Sequence, residues 1–431
     1  MSGGSLRLRP GGPLRGAIAV PGDKSVSHRS LIFNGFASGS AKIEGLLDAE
    51  DVACTAACLK QLGVRMEGDR VWGCGHHFRA ASSPLYCGNS GTSIRLLMGL
   101  LSGQGFAVSL TGDESLCRRP MERIAKPLRM MGADVATTEG RPPVQVNSGT
   151  LRGISYSSPI ASAQVKTAVL LAGLQAQGRL TLSEPRTSRD HTERMFESMG
   201  VQIDRSVAED GTHTVVMEGG QRLHASDVVV PGDISSAAFF LVAACISPGS
   251  ELHLKRVGLN PTRTGVLDVL KRMGARIEVC DRRVVSGEPM GDLHVVFSEL
   301  CATQIGGREI PTLIDELPIL AVAAAFASGE TRISDAAELR VKESDRISST
   351  VGFLRAMGVQ VEEMPDGMVI EGGGVDAELL PTRVHAGGDH RIAMSAAVAG
   401  LRVRGETQVE GAHSIATSFP QFPTILESVR G

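Results

Sequence analysis

The sequence predicts an α/β protein made of two similar halves with three units each, and three observations point to this class. Glycine is in surplus, because the 431 residues include 51 glycines, about 12% against a typical share of about 7%. Many of these glycines recur in two short phrases that alternate along the chain. The sequence Val-Pro-Gly-Asp occurs at 20–23 and again at 230–233. Together these features indicate repeated units burying shared cores.

The two glycine phrases define the units. In the first, an apolar run with helical spacing is followed by a glycine and a short alternating stretch, at Gly39, Gly103, Gly178, Gly249, Gly329 and Gly405. In the second, an amphipathic run ends in a glycine and continues into a strand, at Gly63, Gly132, Gly200, Gly274 and Gly358, with Gly431 as the sixth. Glycine just past the last periodic residue is the expected helix C-cap. Each unit is therefore predicted to contain two helices separated by strands.

The repeated Val-Pro-Gly-Asp segments mark the predicted crossovers between the halves, near 20–23 and 230–233. We predict a first three-repeat domain at 21–231. The second would combine 1–20 with 232–431. A chance recurrence of short phrases is the alternative.

The composition disfavours several functional classes. The chain is 42% hydrophobic with no Gly-X-Y period, so it is neither disordered nor collagen-like. Few aromatic residues and a net charge of -3 disfavour nucleic-acid binding. The longest uncharged apolar stretch, 234–250, contains Pro248 and Gly249 and is shorter than the roughly 20 residues of a membrane span. The N-terminus lacks the apolar region of a secretory signal, and the eight cysteines form no CxxC pair. We expect a cytoplasmic protein with reduced thiols and no membrane partner.

Basic residues of the first half lie where a helix start is predicted. Lys24 and Ser25 follow a Pro-Gly-Asp turn, and Arg29 lies about one helical turn further on. Free N–H groups and the dipole at a helix N-terminus favour an anion, which an arginine can clamp with two hydrogen bonds. An ordinary capped surface helix is the alternative interpretation.

Three more segments of this half combine polar residues with a turn or a helix start. Asn89 and Gly91 lie in a glycine-rich turn that would let the backbone approach a ligand closely, although a plain turn fits equally well. Arg118-Arg119 is placed in a polar loop after a strand, a position that is usually solvated surface. Ser162-Ala163-Gln164 opens an otherwise apolar helix with a polar face, which often points at a ligand.

The second half places carboxylates and cations at comparable junctions. Asp315 lies just before the apolar run 319–326, where it could simply cap a helix. Glu343 lies between Lys342 and Arg346, which would share a face if this segment were helical. His390 and Arg391 follow a Gly-Gly turn before another apolar run. Cations from both halves imply a substrate with several anionic groups, and the carboxylates could move protons.

The phrases PGDKSVSHRS, GNSGTSIR, RRPMER, SPIASAQVK, VVVPGDISSAAF, NPTRTG, IDELPI, VKESDRI and GDHRIAM run in one order from about Leu14 to the end of the chain. As a set they resemble the 5-enolpyruvylshikimate-3-phosphate synthase (EPSP synthase) family, the 3-phosphoshikimate 1-carboxyvinyltransferases. The resemblance implies two domains of three βαβαββ units, an inside-out α/β barrel, with the active site in the interdomain cleft. It also implies transfer of the enolpyruvyl group of phosphoenolpyruvate to the 5-hydroxyl of shikimate 3-phosphate through a tetrahedral adduct, in the shikimate pathway to chorismate and the aromatic amino acids.

The resemblance also implies a role for each matching residue. It assigns shikimate 3-phosphate to Lys24, Ser25, Arg29, Ser162, Ala163, Gln164, Arg189, Asp315 and Lys342. It assigns phosphoenolpyruvate to Lys24, Gly91, Arg119, Gln164, Arg346 and Arg391, with Asn89 and His390 nearby. Asp315 is the expected base toward the hydroxyl, and Glu343, assisted by Lys24, is the expected proton donor and acceptor at carbon. No metal and no cofactor are expected in this reaction, and a monomer is expected.

Two positions bear on how far the resemblance extends. Many family members carry a lysine near the C-terminus at the phosphoenolpyruvate site, whereas this chain has no lysine after Lys342 and reads Ile-Ala-Thr-Ser-Phe at 415–419. Gly91 occupies the position where alanine narrows the pocket and excludes glyphosate in this family. Glyphosate is therefore expected to inhibit the chain.

Two other functions remain as alternatives at this stage. One is the sister enolpyruvyl transferase that uses UDP-N-acetylglucosamine, whose reactive loop cysteine has a possible counterpart in Cys117. The other is a catalytically idle binding module or a four-repeat relative of the RNA-phosphate cyclases. The phrases DKSVSHR, IDELP and VKESDR fit a phosphorylated shikimate site, which disfavours the sister enzyme. Six repeats and the presence of Asp315 and Glu343 disfavour the idle module and the cyclase relative.

Overall fold

The computed structural model describes residues 4–430 and divides them into two compact units. The middle unit comprises 22–230 and 284–288. The terminal unit comprises the remaining described residues. Each unit has its own hydrophobic core.

The chain begins with two strands of the terminal unit, β1 (Ser5–Leu8) and β2 (Arg15–Ala19). It then enters the middle unit, whose helices and strands are α1 (Lys24–Phe36), β3 (Ser40–Glu44), α2 (Glu50–Gln61), β4 (Arg65–Glu67), β5 (Arg70–Trp72), β6 (Leu85–Tyr86), α3 (Gly91–Leu101), β7 (Val108–Thr111), α4 (Glu114–Cys117), α5 (Glu122–Met130), β8 (Asp134–Thr138), β9 (Arg141–Asn147), β10 (Ser155–Ser157), α6 (Ala163–Gly173), β11 (Arg179–Glu184), α7 (His191–Ser198), β12 (Asp204–Val207), β13 (His213–Glu218) and β14 (Val228–Val229).

The strands of the middle unit form three four-stranded sheets of the same design. Their strand orders are β14-β3-β5-β4, β6-β7-β9-β8 and β10-β11-β13-β12. In each sheet the first pair is parallel and the other two pairs are antiparallel. The first strand of the first sheet, β14, comes from the end of the unit, so the last segment of the unit completes its first repeat.

The terminal unit continues the chain with α8 (Ile234–Ile246), β15 (Glu251–Gly258), α9 (Gly265–Arg272), β16 (Arg276–Val285), β17 (Glu288–Val296), β18 (Leu300–Cys301), β19 (Gln304–Ile305), α10 (Ile310–Leu313), α11 (Leu317–Ala325), β20 (Ala327–Ile333), α12 (Arg346–Ala356), β21 (Gln360–Met364), β22 (Gly367–Gly373), β23 (Arg383–His385), α13 (His390–Gly400), β24 (Thr407–Glu410) and α14 (Phe422–Ser428). Short 3₁₀ helices lie at Gly307–Glu309, Ile314–Glu316, Ala337–Val341 and Ala412–Thr417.

The sheets of the terminal unit are related to this design but have four, five and three strands, and two of them include a strand from the N-terminal segment. Their orders are β2-β15-β17-β16, β18-β20-β22-β21 with β19 also paired to β20, and β1-β24-β23. Strand β2 runs parallel to β15, and β1 runs antiparallel to β24. The mixed sheets and the α/β class agree with the fold that the sequence predicts.

The helices that open the repeats lie inside the units. Every residue of α8, α11 and α13 is buried, as expected for helices that are largely apolar. In the middle unit α3 and α6 approach closely, because a Cβ placed on Gly99 would lie 2.1 Å from the carbonyl oxygen of Ala168. Helices thus form the interior of each unit. Among residues 4–430, no helix combines the length and the apolar character needed to cross a membrane.

The glycines of the two sequence phrases occupy different positions in the structure. Gly63, Gly132, Gly200, Gly274 and Gly358 all follow a helix with φ between 87° and 97°, as the predicted C-caps require. The sixth, Gly431, lies outside the described residues. Of the first set, Gly39, Gly178, Gly249 and Gly405 lie in turns before the next strand, whereas Gly329 lies inside β20. Gly103 does not have the left-handed conformation, which Gly105 takes instead with φ 78°.

Candidate active site

The N-terminus of α1 gathers the first predicted anion-binding residues. Asp23 caps the helix, and its side chain accepts a hydrogen bond from the backbone N–H of Val26 at 2.9 Å. Lys24 and Ser25 therefore fall in the first turn, where the helix dipole favours negative charge. The Lys24 ammonium is paired with the carboxylate of Asp51 at 3.0 Å. An anionic ligand would compete with Asp51 for this lysine.

Arg29 lies in the second turn of the same helix and is almost completely buried. Its guanidinium donates to the Thr192 and Thr167 hydroxyls, at 2.8 Å each, and to the backbone oxygen of Ser25 at 3.0 Å. Burial lowers the pKa of Arg29 to about 10, with Glu193 acting in the opposite direction. The side chain therefore stays cationic at neutral pH, and it fixes the backbone at Ser25.

A second cluster of the middle unit surrounds the N-terminus of α3. Ser90 caps this helix, and Gly91 is its first residue. Arg119 donates a hydrogen bond to the side-chain oxygen of Asn89, and the Asn89 amide donates to Asp113 at 2.7 Å. The position of a Cβ on Gly91 lies 3.3 Å from a guanidinium nitrogen of Arg119. The glycine therefore leaves space directly beside a predicted ligand-binding cation.

Arg95 joins this cluster to the start of α6. Its guanidinium donates to the side-chain oxygen of Gln164 at 2.7 Å and to the backbone oxygen of Pro120 at 3.3 Å. The Gln164 amide in turn donates to the Thr92 hydroxyl at 3.2 Å. Ser162 caps α6, so Ala163 and Gln164 are in its first turn. The structure thus brings Asn89, Gly91, Arg119 and Gln164 together through Arg95.

Arg189 completes the predicted residues of the middle unit. Its guanidinium reaches the Ser25 hydroxyl at 3.5 Å, a long hydrogen bond. This contact places it on the same side of α1 as Arg29, whose own guanidinium contacts the Ser25 carbonyl.

A buried ion network lies behind the α6 cluster. The Lys166 ammonium is fully buried between the carboxylates of Glu193, at 2.7 Å, and Glu184, at 2.9 Å. Burial alone would lower the pKa of Lys166, but the two carboxylates raise it. Burial opposes ionisation of Glu184 as well, yet His213 and Lys166 lower its pKa to about 2. The network ties α6 to α7 next to Thr192, which contacts Arg29.

Arg346 is the centre of the site residues in the terminal unit. Its side chain is 1% exposed and forms ion pairs with Glu343 at 2.6 Å, Asp389 at 2.8 Å and Asp315 at 3.0 Å. Burial alone would lower the pKa of Arg346, but the carboxylates of Asp389, Glu343 and Asp315 raise it well above its usual range. One guanidinium therefore contacts both carboxylates that the sequence nominates for proton transfer.

The remaining predicted residues of this unit surround the same carboxylates. The Lys342 ammonium lies 3.8 Å from Asp315, and burial lowers its pKa while Asp315 partly opposes the shift. Arg391 donates to the backbone oxygen of Asp315 at 3.0 Å and lies 3.6 Å from the carboxylate of Glu316. His390 begins α13, and its Nδ1 lies 3.3 Å from the Thr417 hydroxyl.

Two sequence-based expectations about local structure were wrong. Lys342 and Arg346 do not share a helix face, because a 3₁₀ helix ends at Val341, Lys342 is extended, and α12 begins only at Arg346. Asp345 caps α12 by accepting hydrogen bonds from two backbone N–H groups. The i, i+4 spacing of Lys342 and Arg346 does not reveal this cap. The loop with Arg119 does not follow a strand directly either, since α4 intervenes.

Several residues of these clusters were not predicted from the sequence. Arg95 lies in the quoted GNSGTSIR phrase but inside an apolar helix, where an arginine is easily taken for a surface residue. Asp389 caps α13 and also pairs with Arg346, 43 residues earlier. Asp51 and Glu316 are the other missed partners. Arginines are rarely buried unless they are paired, and Asp389 in the quoted GDHRIAM phrase was a candidate partner for Arg346.

The comparison with known families decides between the functions left open by the sequence. A family model described as EPSP synthase (3-phosphoshikimate 1-carboxyvinyltransferase) matches residues 8–426. The chain belongs to the EPSP synthase family. A 3-phosphoshikimate 1-carboxyvinyltransferase of Acidithiobacillus ferrooxidans is 49% identical over 426 residues, which cover 97% of this chain and 96% of the relative. One from Synechococcus sp. strain RCC307 is 50% identical over 430 residues, covering 97% and 98%.

Solved structures of similar fold support this family assignment. An EPSP synthase from Acinetobacter baumannii is similar with a TM-score of 0.87 and 44% identity, covering 99% of this chain and 98% of the other. The enolpyruvyl transferase NikO from Streptomyces tendae has a TM-score of 0.80 at 20% identity, covering 99% and 98%, and shares the fold. The family match removes the idle module and the RNA-cyclase relative as interpretations.

Proposed function

We propose that the cations of the middle unit and the carboxylates of the terminal unit act together in enolpyruvyl transfer. As a member of its family, the chain is a 3-phosphoshikimate 1-carboxyvinyltransferase of the shikimate pathway, which leads to chorismate and the aromatic amino acids. It transfers the enolpyruvyl group of phosphoenolpyruvate to the 5-hydroxyl of shikimate 3-phosphate and releases phosphate. The family match over 8–426 is the observation that carries this function. Which residues perform each step is the proposal.

The two substrates bring two phosphates and two carboxylates, and we assign them to the cationic clusters. Shikimate 3-phosphate would contact the α1 and α6 starts and Arg189, together with Asp315 and Lys342. Phosphoenolpyruvate would contact Gly91, Arg119 and Gln164 from the middle unit, with Lys24 shared between both substrates. From the terminal unit it would contact Arg346 and Arg391. The helix N-termini at Ser25, Gly91 and Ala163 add backbone N–H groups suited to anions.

The addition step forms a bond from the 5-oxygen of shikimate 3-phosphate to C2 of phosphoenolpyruvate. Asp315 would accept the hydroxyl proton, and Glu343, assisted by Lys24, would deliver a proton to C3, so the methylene becomes a methyl group. In the elimination step Glu343 takes a proton back from that methyl group while the C2–phosphate oxygen bond breaks. Fixed cations stabilise the departing phosphate.

Arg346 explains how one carboxylate could serve both steps. Its 2.6 Å pair with Glu343 favours the ionised carboxylate, which is the form that accepts a proton. An anionic substrate bound to Arg346 would weaken that pair and raise the proton affinity of Glu343. Substrate binding would thus prepare Glu343 to donate in the addition step.

We further propose that the enzyme is cytoplasmic, monomeric and inhibited by glyphosate. All eight cysteines are free thiols, which suits a reducing compartment. Within residues 4–430, seven large apolar side chains are exposed, and they belong to seven separate segments rather than to one helix or strand. Such scattered residues are ordinary on a monomer surface. The space beside Gly91 and Arg119 supports glyphosate binding in place of phosphoenolpyruvate.

The acceptor decides the function experimentally. Phosphate release from phosphoenolpyruvate is to be measured with shikimate 3-phosphate, with UDP-N-acetylglucosamine and without acceptor. We expect release with shikimate 3-phosphate alone. Release only with the sugar nucleotide, or with neither acceptor, would overturn the proposal. A Cys117→Ser variant serves as a control, because a reactive cysteine is needed only in the sister reaction.

A further inference from the structure

One sheet of the terminal unit carries a histidine pair on its solvent-facing side. Glu251 and His253 alternate with buried leucines along β15, so both side chains point to the exposed face. His294 on the neighbouring strand β17 is the cross-strand partner of His253 in the antiparallel register. Sheet geometry therefore brings three side chains from two strands together. None of them belongs to the residues assigned to the reaction.

The three side chains are close enough to share one ligand. The imidazole rings of His253 and His294 are stacked, with centroids 4.3 Å apart and planes inclined by 11°. The Glu251 carboxylate lies 3.0 Å from Nε2 of His294 and 3.9 Å from Nε2 of His253. One nitrogen or oxygen atom from each residue lies within 4.8 Å of the other two.

We propose that Glu251, His253 and His294 form a binding site for a divalent transition-metal ion. Two imidazole nitrogens and a carboxylate oxygen are the donor set that suits zinc, nickel and related ions, whereas magnesium and calcium prefer oxygen ligands alone. Ligand atoms about 2.0–2.1 Å from a tetrahedral zinc lie roughly 3.3 Å apart. Small side-chain rotations would bring the three ligand atoms to this spacing. His253 is 54% exposed and has room for such a rotation.

Charged residues near this site affect how strongly it binds a metal ion. Arg15 lies opposite Glu251 on β2, and Lys255 follows His253 on the same face of β15. The Arg15 guanidinium donates to the backbone oxygen of Gly249, which holds its charge at the end of the strand. Two nearby cations weaken the attraction for a metal ion without removing a ligand. Water fills the remaining coordination positions, and the ion links β15 to β17.

Nickel binding to the full-length chain tests the site. The titrations use Ni²⁺ in a Cys280→Ser, Cys301→Ser background, because these two exposed thiols would also bind the metal. We expect one bound Ni²⁺ per chain. His253→Ala and His294→Ala should each weaken binding at least about tenfold, since even changes outside the ligand shell typically cost 10–100-fold. Glu251→Gln should weaken it as well.

A matched histidine and a second metal give the controls. His385 is also exposed, on β23, and its ring lies 3.8 Å from Glu410. Among residues 4–430, this pair is not part of a cluster of three possible metal ligands. His385→Ala should leave the Ni²⁺ affinity unchanged, and Mg²⁺ should not bind at the same concentrations. Wild-type affinity in the His253→Ala, His294→Ala double variant would overturn the proposal, as would failure of the unmutated site to bind Ni²⁺.

Thermal unfolding provides an independent readout. A ligand that binds only the folded chain raises its melting temperature. Ni²⁺ should therefore raise the melting temperature of the parent chain and leave that of the double variant unchanged. Phosphate release without added metal should be the same in both, which also shows that the double variant is folded. An equal Ni²⁺-induced shift in both proteins would contradict a site at β15 and β17.

Discussion

Two buried arginines, Arg29 in the middle unit and Arg346 in the terminal unit, have different kinds of partners. In the middle unit Arg29 donates hydrogen bonds to two threonine hydroxyls and a carbonyl. In the terminal unit Arg346 is held by three carboxylates. Neutral partners leave a cation's charge available to a ligand, whereas carboxylate partners compensate it. Arg29 is therefore suited to bind an anion, whereas the charge of Arg346 is already compensated by Glu343, Asp389 and Asp315.

The largest effect on activity should come from changing the carboxylates Asp315 and Glu343 of the terminal unit. Asp315→Asn and Glu343→Gln should each lower kcat about 10²–10⁴-fold, the usual contribution of a positioned acid or base, with a smaller change in KM. Steady-state phosphate release measures both constants. Glu362→Gln is a control because Glu362 is exposed on β21, outside the assigned residues. A loss confined to KM would show that these carboxylates only bind substrate.

The next effect concerns stability and compares the two buried arginines directly. Arg346→Met leaves Asp389 buried without its ion-pair partner and should lower the free energy of unfolding by about 3–5 kcal/mol. Arg29→Met leaves neutral hydroxyls instead and should cost about 1–3 kcal/mol. Urea unfolding of both variants measures the difference. Equal losses would remove the distinction between the units.

A pH effect should follow from a buried histidine beside the cations of α1. Burial, aided by Lys24 and Arg29, lowers the pKa of His28 to about 3, below its usual value of 6.5. The unfolded chain then binds a proton that the folded chain does not, so stability is lost as the pH falls from 6.5 toward 3. The slope should be about 1 kcal/mol per pH unit.

His28→Gln should remove this part of the slope, as measured by urea unfolding between pH 7 and 4.5. His77→Gln, an exposed histidine in the same unit, is the matched control and should keep the slope. An unchanged slope in His28→Gln would show that His28 accepts a proton in the folded state.

The smallest effect is expected at Gly91. A Cβ there would lie 3.0 Å from a guanidinium nitrogen of Arg95 and 3.3 Å from one of Arg119, so the arginines must give way slightly. Gly91→Ala should raise the inhibition constant for glyphosate more than it raises the KM for phosphoenolpyruvate. Gly99→Ala is no substitute control because it would clash with the backbone of α6. An unchanged glyphosate constant would contradict the proposed pocket.

Local features of this fold could be predicted from the sequence, and contacts between distant segments could not. Helices begin at Lys24, Gly91 and His390 because polar caps precede apolar runs, and these signals are visible in the sequence. The spacing of Lys342 and Arg346 wrongly predicted a shared helix face, because a 3₁₀ helix ends at Val341 and Asp345 caps a new helix four residues later. The pairing of Arg346 with Asp389 depends on how α12 and α13 pack, which no local pattern records.

The glycines illustrate the same limit at the level of turns. The C-cap set could be predicted because one conformation ends each helix. Gly103 could not be distinguished from Gly105, two residues later, because either could supply the left-handed turn before β7. The side chain of Gln175 packs against Gly103 at 2.8–2.9 Å from its ideal Cβ position, so a tertiary contact accounts for this glycine.

The most direct test of the division of labour is the deuterium content of the product formed in D₂O. If Glu343 adds a proton to C3 and later removes one, the wild-type enzyme should place deuterium in the vinyl methylene of the product, as read by NMR. Glu343→Gln should form product far more slowly, with its rate of deuterium incorporation reduced in parallel. A wild-type product without deuterium, or undiminished incorporation in Glu343→Gln, would contradict the account.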